Sequence, residues 1–192
     1  MQRPVVGVLL AAGSGSRFGS DKLLAKLADG TPLASAALSA LAAGVDSVIA
    51  VVRPGDAALE ALLGKSGALV VVCPDAAEGM GASLACGVRE VQRRFPEAQG
   101  AIIALADMPW VSSSTVASVA TALRRGAALA APTHRGTRGH PVAIGARYFA
   151  DLQMLSGDEG AKKLLAAHGA ELELIGVDDP GVLRDVDTQS DL

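Results

Sequence analysis

The sequence has 192 residues, and at about 150 residues per domain this length predicts a single domain over residues 1–192. Half of the residues are hydrophobic and 19% are charged, which excludes an intrinsically disordered chain. The net charge is −3 and only 3% of the residues are aromatic, so binding of nucleic acid through a basic or stacking surface is disfavoured. No apolar run reaches the ~18 residues of a membrane span, so no membrane partner is expected.

Short runs rich in Val, Ile, Leu and Ala alternate along the chain with segments of helical periodicity. We predict strands at residues 5–10, 47–52, 69–73, 101–106, 129–131, 142–144 and 172–177. Nearly continuous apolar strands separated by helices are typical of a sheet covered on both faces. The pattern therefore predicts an α/β fold with a Rossmann-like, doubly wound, mostly parallel sheet. It loosens after about residue 132, and that part is predicted to be an insertion or a sheet edge.

Capping residues mark where the intervening helices begin. Asp56 and either Ser112 or Ser113 are typical N-caps, and Thr31 followed by Pro32 is typical of a cap and a first turn. A further helix is predicted over residues 158–167.

The two cysteines, Cys73 and Cys86, are too few for a disulfide scaffold and lack the grouped spacing of a zinc site. We interpret both as free thiols in a reducing compartment. A cytoplasmic location is therefore expected.

The first predicted strand leads into a glycine-rich loop, residues 11–22. Its glycines would let backbone amides approach an anion, and Arg17 and Lys22 would neutralise a polyphosphate. The glycine spacing departs from the G-x-G-x-x-G of dinucleotide sites, and Lys22 lies three residues after Gly19 instead of directly after a glycine as in a P-loop. The loop is predicted to bind phosphates, with a plain surface turn as the alternative.

Candidate metal-binding carboxylates occur in two later parts of the chain. Asp107 directly follows the strand at 101–106, and Asp185 and Asp187 share one face of an extended segment near the end. A carboxylate at the end of a central strand must be solvated, paired or bound to metal, and Mg²⁺ beside phosphates needs only one or two such ligands. The alternatives are a turn or cap for Asp107 and an N-cap for Asp187.

Two more segments are candidates for ligand contacts. Residues 78–84 contain glycines that open a helix, where backbone amides and Ser83 could contact a base or ribose; a plain loop and cap is the alternative. His140 lies in a predicted hairpin turn and could bind substrate or carry a proton, although a lone histidine in a turn is more often a surface residue.

Six motifs occur in an order that resembles the nucleotidyltransferases of molybdenum cofactor maturation, most closely the CTP:molybdopterin cytidylyltransferase type. The resemblance spans residues 5–191. The motifs are Leu10-Ala11-Ala12-Gly13 with Arg17, Gly19 and Lys22; Glu78-Gly79-Met80-Gly81 with Ser83 and Leu84; Asp107-Met108-Pro109; Gly139-His140-Pro141; Gly157-Asp158 with Gly160 and Ala161; and Asp185-Val186-Asp187-Thr188.

The resemblance implies a role for each group of site residues. The implied catalytic residues are Arg17, Lys22 and Asp107. Mg²⁺, or Mn²⁺ in its place, would be held by Asp107 and Asp187. The pterin side of the site would be formed by Gly139, His140 and Pro141. The implied nucleotide-binding residues are Leu10, Ala11, Ala12, Gly13, Arg17, Lys22, Pro74, Gly79, Gly81 and Ser83.

The activity that the resemblance implies is transfer of CMP from CTP to molybdopterin, with release of pyrophosphate. Transient contact with a recipient molybdenum hydroxylase or its chaperone is an implied partner interaction. Residues 11–13 read Ala-Ala-Gly, which resembles the pyrimidine type, whereas guanylyl enzymes tend to have Ala-Gly-Gly. GTP as donor, sugar-phosphate nucleotidyl transfer and a non-catalytic cofactor carrier remain as alternatives.

Overall fold

Strands and helices alternate from Val5 to His134 in a computed structural model that describes residues 3–13, 18, 21–158 and 160–192. The strands are β1 Val5–Ala11, β2 Ser47–Val52, β3 Leu69–Val72, β4 Gly100–Leu105, β5 Leu129–His134, β6 Thr137–Arg138, β7 Val142–Gly145 and β8 Leu172–Gly176. The helices are α1 Leu33–Ala42, α2 Ala57–Lys65, α3 Met80–Arg94, α4 Ser113–Arg124, α5 Phe149–Gln153 and α6 Lys162–Ala167. No helix in the described part of the chain is long and apolar enough to cross a membrane.

The strands form one sheet in the order β3-β2-β1-β4-β7-β5-β6, with β8 paired in parallel to β5. The pairs β1·β2, β1·β4 and β2·β3 are parallel, whereas β7 is antiparallel to both of its neighbours. Alternate side chains of β1 point to opposite faces. Val8 packs in a core with α3, α5 and α6, and Leu9 packs in a second core with α1, α2 and α4. The predicted mostly parallel α/β sheet with helices on both faces is confirmed.

The expectation of a sheet edge after residue 132 is wrong for β7. This strand lies between β4 and β5, and all four of its residues are buried. A short hairpin through β6 returns the chain antiparallel, so no crossover helix marks the strand in the sequence.

The helix boundaries show where local signals succeed. Asp56 caps α2 by accepting a hydrogen bond from Leu59 N at 3.4 Å, and Ser112 caps α4 by accepting one from Thr115 N at 3.2 Å. At α1, however, Pro32 occupies the N-cap position and no side chain caps the helix. The last helix begins at Lys162 instead of residue 158, because Gly157 and Gly160 adopt left-handed backbone angles that interrupt a helix.

Candidate active site

A cavity of about 610 Å³ opens beyond the carboxyl ends of the strands β1 to β4. Strand order explains its location, because the chain runs from β1 outward to β2 and β3 and then crosses back to β4 on the other side of β1. Ligands of open α/β sheets bind at such a reversal, where the loops after neighbouring strands diverge. β1 and β4 pair up to Leu10 and Leu105, so the chain segments that follow them leave the sheet side by side.

Eight of the predicted site residues line this cavity, at the ends of β1 and β4, in the first loop and around the start of α3. They are Leu10, Ala12, Gly13, Lys22, Pro74, Gly79, Ser83 and Asp107. Ala11 does not line it, because its side chain points to the opposite face of the sheet and is buried in the core there.

Lys22 joins the two predicted metal carboxylates. It begins a short 3₁₀ turn, and its Nζ atom donates a hydrogen bond to Asp107 Oδ2 at 2.9 Å. The same Nζ atom lies 3.7 Å from Asp187 Oδ1. The Lys22 side chain is 10% exposed, whereas Asp107 is 29% and Asp187 52% exposed. The ammonium group is therefore largely withdrawn from solvent, while both carboxylates still face it.

A backbone hydrogen bond keeps the two segments that carry these carboxylates next to each other. Val186 N donates a hydrogen bond to the carbonyl oxygen of Asp107 at 2.9 Å, and the Val186 side chain is fully buried against Phe18 and Leu33. The terminal 3₁₀ turn that follows is capped by Thr188, so Asp187 is not its N-cap.

The donor set at this cluster suits a hard divalent cation. Lys22 engages Asp107 through Oδ2. Among the described residues, no group of three or more His, Cys, Asp or Glu side chains could hold a metal ion. A cation here would be bound by Asp107 and Asp187 together with water or ligand oxygens, which is the kind of coordination that Mg²⁺ and Mn²⁺ accept.

The other end of the cavity is formed where α3 begins. Gly79 has a φ of +123°, and a Cβ atom on it would overlap Asp158 Oδ1 and the carbonyl group of Gly157. Gly81 N donates a hydrogen bond to Gly157 O at 2.6 Å, so this predicted nucleotide contact lies outside the cavity lining and its amide contacts a protein loop. Ser83 is 4% exposed and its Oγ donates to Gly79 O at 3.4 Å.

The predicted pterin-side residues lie near Asp107 but do not line the large cavity. His140 and Pro141 border a separate pocket of about 10 Å³ on the α1 and α4 side of the sheet. His140 Nδ1 is buried without a hydrogen-bond partner among the described residues. Burial and then the nearby Arg138 lower the pKa of His140, while Asp107 and Asp185 oppose them. The shift favours the neutral form of the ring.

The family model described as "MobA-like NTP transferase domain" matches residues 7–172. The chain belongs to the MobA-like nucleotidyltransferase family. It is 34% identical over 197 residues to the purine catabolism protein PucB of Bacillus subtilis and 32% identical over 193 residues to the nicotine blue oxidoreductase of Paenarthrobacter nicotinovorans. Each alignment covers 96% of this chain and 92% of the relative.

A solved structure, that of Rv0371c from Mycobacterium tuberculosis, superposes with a TM-score of 0.87 at 29% identity, covering 100% of this chain and 96% of that one. A manganese complex of Rv0371c superposes with a TM-score of 0.79 at 26% identity, covering 98% of this chain and 95% of that one. The whole described fold of the nucleotidyltransferase is therefore shared with proteins of similar length.

Two polar residues of the cavity were not predicted as site residues. Arg53 follows β2, and its guanidinium lies 3.5 Å from Asp56 Oδ2 and 3.8 Å from Asp21 Oδ1. Asp158 lies in the loop before α6. The rule that ligands gather at strand ends would have found Arg53. The sequence indicated Asp158 only as a member of a motif, because its place at the cavity depends on its contact with Gly79 in a distant part of the chain.

The predicted phosphate contact of Arg17 lies outside the described residues, as do Gly15 and Gly19 of the same loop. Their role in binding phosphate stays a prediction. Lys22 and Gly13 flank that part of the loop, and both line the cavity.

Proposed function

We propose that this nucleotidyltransferase transfers CMP from CTP to molybdopterin, forming a cytosine dinucleotide cofactor and releasing pyrophosphate. The observation that carries the proposal is the Lys22, Asp107 and Asp187 cluster at the edge of a nucleotide-sized cavity, since ligand pockets usually measure about 300–1,000 Å³. Membership of the MobA-like family supports the reaction class. The choice of CTP rests on Ala12, whose side chain takes up space at the cavity.

The charges favour one orientation of the nucleotide. Lys22 would attract the triphosphate, so the phosphates would lie beside β1 and β4 and the nucleoside would extend toward the start of α3. The Gly139, His140 and Pro141 turn near Asp107 would then face the incoming molybdopterin. Transient contact with a recipient molybdenum hydroxylase or its chaperone belongs to the same proposal.

A divalent cation is part of the proposal, with Mg²⁺ as the first choice and Mn²⁺ as the alternative. The manganese complex of Rv0371c supports a divalent site in a structure of this fold. Asp107 and Asp187 would hold the ion, which would neutralise negative charge on the triphosphate when bound.

Catalysis by the chain's own residues consists of positioning and charge neutralisation. The attacking group is a phosphate of molybdopterin, which is already ionised at neutral pH, so no strong general base is required. Lys22 would donate hydrogen bonds to the oxygens that gain negative charge. The Val186 to Asp107 backbone hydrogen bond keeps both carboxylates next to Lys22.

The test is pyrophosphate release by the purified chain with molybdopterin, Mg²⁺ and either CTP or GTP. We expect release with CTP in preference to GTP. Lys22→Ala should lower the rate by about 10²- to 10³-fold, because one preorganised charge contact to the transition state is lost. Preference for GTP would overturn the choice of donor. Tight CTP binding without pyrophosphate release would indicate a cofactor carrier instead of an enzyme.

The control for Lys22→Ala is Asp151→Asn, a change of charge on the exposed surface of α5 outside the cavity. Its rate should equal that of the wild type. An unchanged rate in Lys22→Ala as well would contradict the proposed phosphate contact.

A further inference from the structure

Two carboxylates among the described residues line the large cavity, and they lie at different places in the sheet order. Asp107 follows β4, whereas Asp158 touches Gly79 in the segment that follows β3. Three strand spacings separate β3 from β4, which is about 14 Å at the usual spacing. The cavity therefore has a phosphate end at Lys22 and Asp107 and a second acidic end at Asp158.

Asp158 differs from Asp107, which pairs with Lys22, in its interactions with the described residues. Within the described part of the chain, no hydrogen bond or ion pair engages its carboxylate. The position of this carboxylate is nevertheless fixed from two sides. Gly79 leaves open the space that a Cβ atom would fill, and Gly157 accepts the hydrogen bond from Gly81 N.

The segment around the start of α3 lines the cavity with small or apolar residues, Ala76, Ala77, Gly79 and Met80, and Asp158 lies against Gly79 of this segment. A carboxylate in its charged form only accepts hydrogen bonds, and it would repel the phosphates of a nucleotide. It can therefore attract only the end of the ligand that bears hydrogen-bond donors. In a nucleotide these donors are the amino group of the base and the ribose hydroxyls.

We propose that Asp158 reads the nucleobase by accepting a hydrogen bond from its exocyclic amino group, and thereby selects CTP over UTP. Acceptance from cytosine N4 by a carboxylate is an established recognition contact, and uracil presents an acceptor oxygen at the same position. This inference rests on the proposed function, since it takes the start of α3 as the nucleoside end of the site. Guanine also carries an amino group, so Asp158 separates amino-bearing bases from uracil and leaves the choice between CTP and GTP to other residues.

The experiment measures the dissociation constants of CTP, UTP and 2′-deoxy-CTP with Mg²⁺, in the absence of an acceptor, for the wild type and Asp158→Asn. The wild type should bind CTP more tightly than UTP. Asp158→Asn should lower the preference for CTP over UTP by about 10-fold, because the asparagine amide can donate to uracil O4. Loss of the negative charge changes the binding of all three nucleotides alike, so this ratio isolates the contact with the base.

Asp151→Asn is the matched control, since it makes the same chemical change on an exposed part of α5 away from the cavity. Its ratio should equal that of the wild type. Asp158→Ala removes the carboxylate without adding a new hydrogen-bond donor, and it should also reduce the preference for CTP. Both Asp158 variants should fold, because the side chain is exposed.

Three outcomes would overturn the inference. An unchanged CTP to UTP ratio in Asp158→Asn excludes contact with the base amino group. A change confined to the ratio of CTP to 2′-deoxy-CTP assigns Asp158 to the ribose. If the wild type binds none of the nucleotides, the inference and the proposed function fail together, whereas CTP-selective binding without pyrophosphate release contradicts only the proposed reaction.

Discussion

Two aspartates that follow strands of the same sheet have opposite environments. Asp107 follows β4, keeps 29% of its side chain exposed and pairs with Lys22 at the cavity. Asp179 follows β8 and is 8% exposed. Its carboxylate accepts three hydrogen bonds that tie the segment after β8 to the start of α4. The donors are Ser112 N at 2.9 Å, Thr115 Oγ1 at 2.7 Å and Gly181 N at 3.0 Å.

The difference separates a carboxylate available to a ligand from one committed to the fold. Burial raises the pKa of Asp179, but the hydrogen bonds from Thr115, Ser112 and Gly181 outweigh it and hold the pKa below 3.8. Hydrogen bonds to a charged group contribute to native stability, and burial keeps this carboxylate from a ligand. Asp107 remains partly exposed at the cavity beside the Lys22 ammonium group, so its carboxylate is accessible to a ligand.

The largest expected effect is on turnover in Asp107→Asn. The substitution removes charge from the proposed cation site, and a metal ligand contributes several kcal/mol, so the rate of pyrophosphate release should fall by at least about 10²-fold. The melting temperature should stay near that of the wild type, because the Val186 to Asp107 hydrogen bond uses the backbone. Near-normal turnover with Mg²⁺ would show that Asp107 is not part of the cation site.

Asp179→Asn should have the opposite result. Losing the charge weakens three hydrogen bonds to a buried carboxylate, and the free energy of unfolding should fall by about 2–3 kcal/mol. Turnover per folded molecule should be retained, because Asp187 is held independently through Val186. Urea denaturation and a rate normalised to folded protein measure the two quantities. A large loss of turnover with unchanged stability would show that Asp179 acts in the site, as proposed for Asp107, and does not stabilise the fold.

The smallest expected effect is the pH dependence of this stability difference. Because the pKa of Asp179 is lowered in the folded protein, its contribution is fully present above the unfolded value of 3.8 and is lost as the pH falls through the folded value. The gap in unfolding free energy between the wild type and Asp179→Asn should therefore be larger at about pH 6 than at about pH 3. A gap that is constant over this range would show that the charge of Asp179 contributes nothing to stability.

Much of the cavity could be predicted from strand ends. Asp107 and Lys22 stood out because each follows a clear apolar strand or a glycine-rich turn, and the structure brings them together across 85 residues. Alanine side chains were harder to assign. Ala11 and Ala12 are equivalent in the sequence, but only Ala12 lines the cavity. The alternation of a strand sends the preceding side chain to the opposite core.

The contact between Gly79 and Asp158 could not be predicted by any local rule. The two residues lie in separate motifs, and their meeting depends on how the loop before α6 packs over the start of α3. The position of β7 inside the sheet was missed for a related reason. The sequence of a four-residue apolar strand does not show whether the strand lies at the edge or in the centre of a sheet. Its position depends on which other strands pair with it.

The sequence by itself determined the alternation of strands and helices as far as β5, the caps at Asp56 and Ser112, and the points where polar residues follow apolar strands. These are local properties, set by periodicity, side-chain shape and hydrogen bonds within a few residues. Only the tertiary structure decided that Lys22 lies between Asp107 and Asp187, that Asp179 is locked into the fold and that Asp158 faces the cavity. Such contacts depend on strand order and on packing between distant segments, because a side chain's neighbours are fixed only when the whole sheet and its covering helices have assembled.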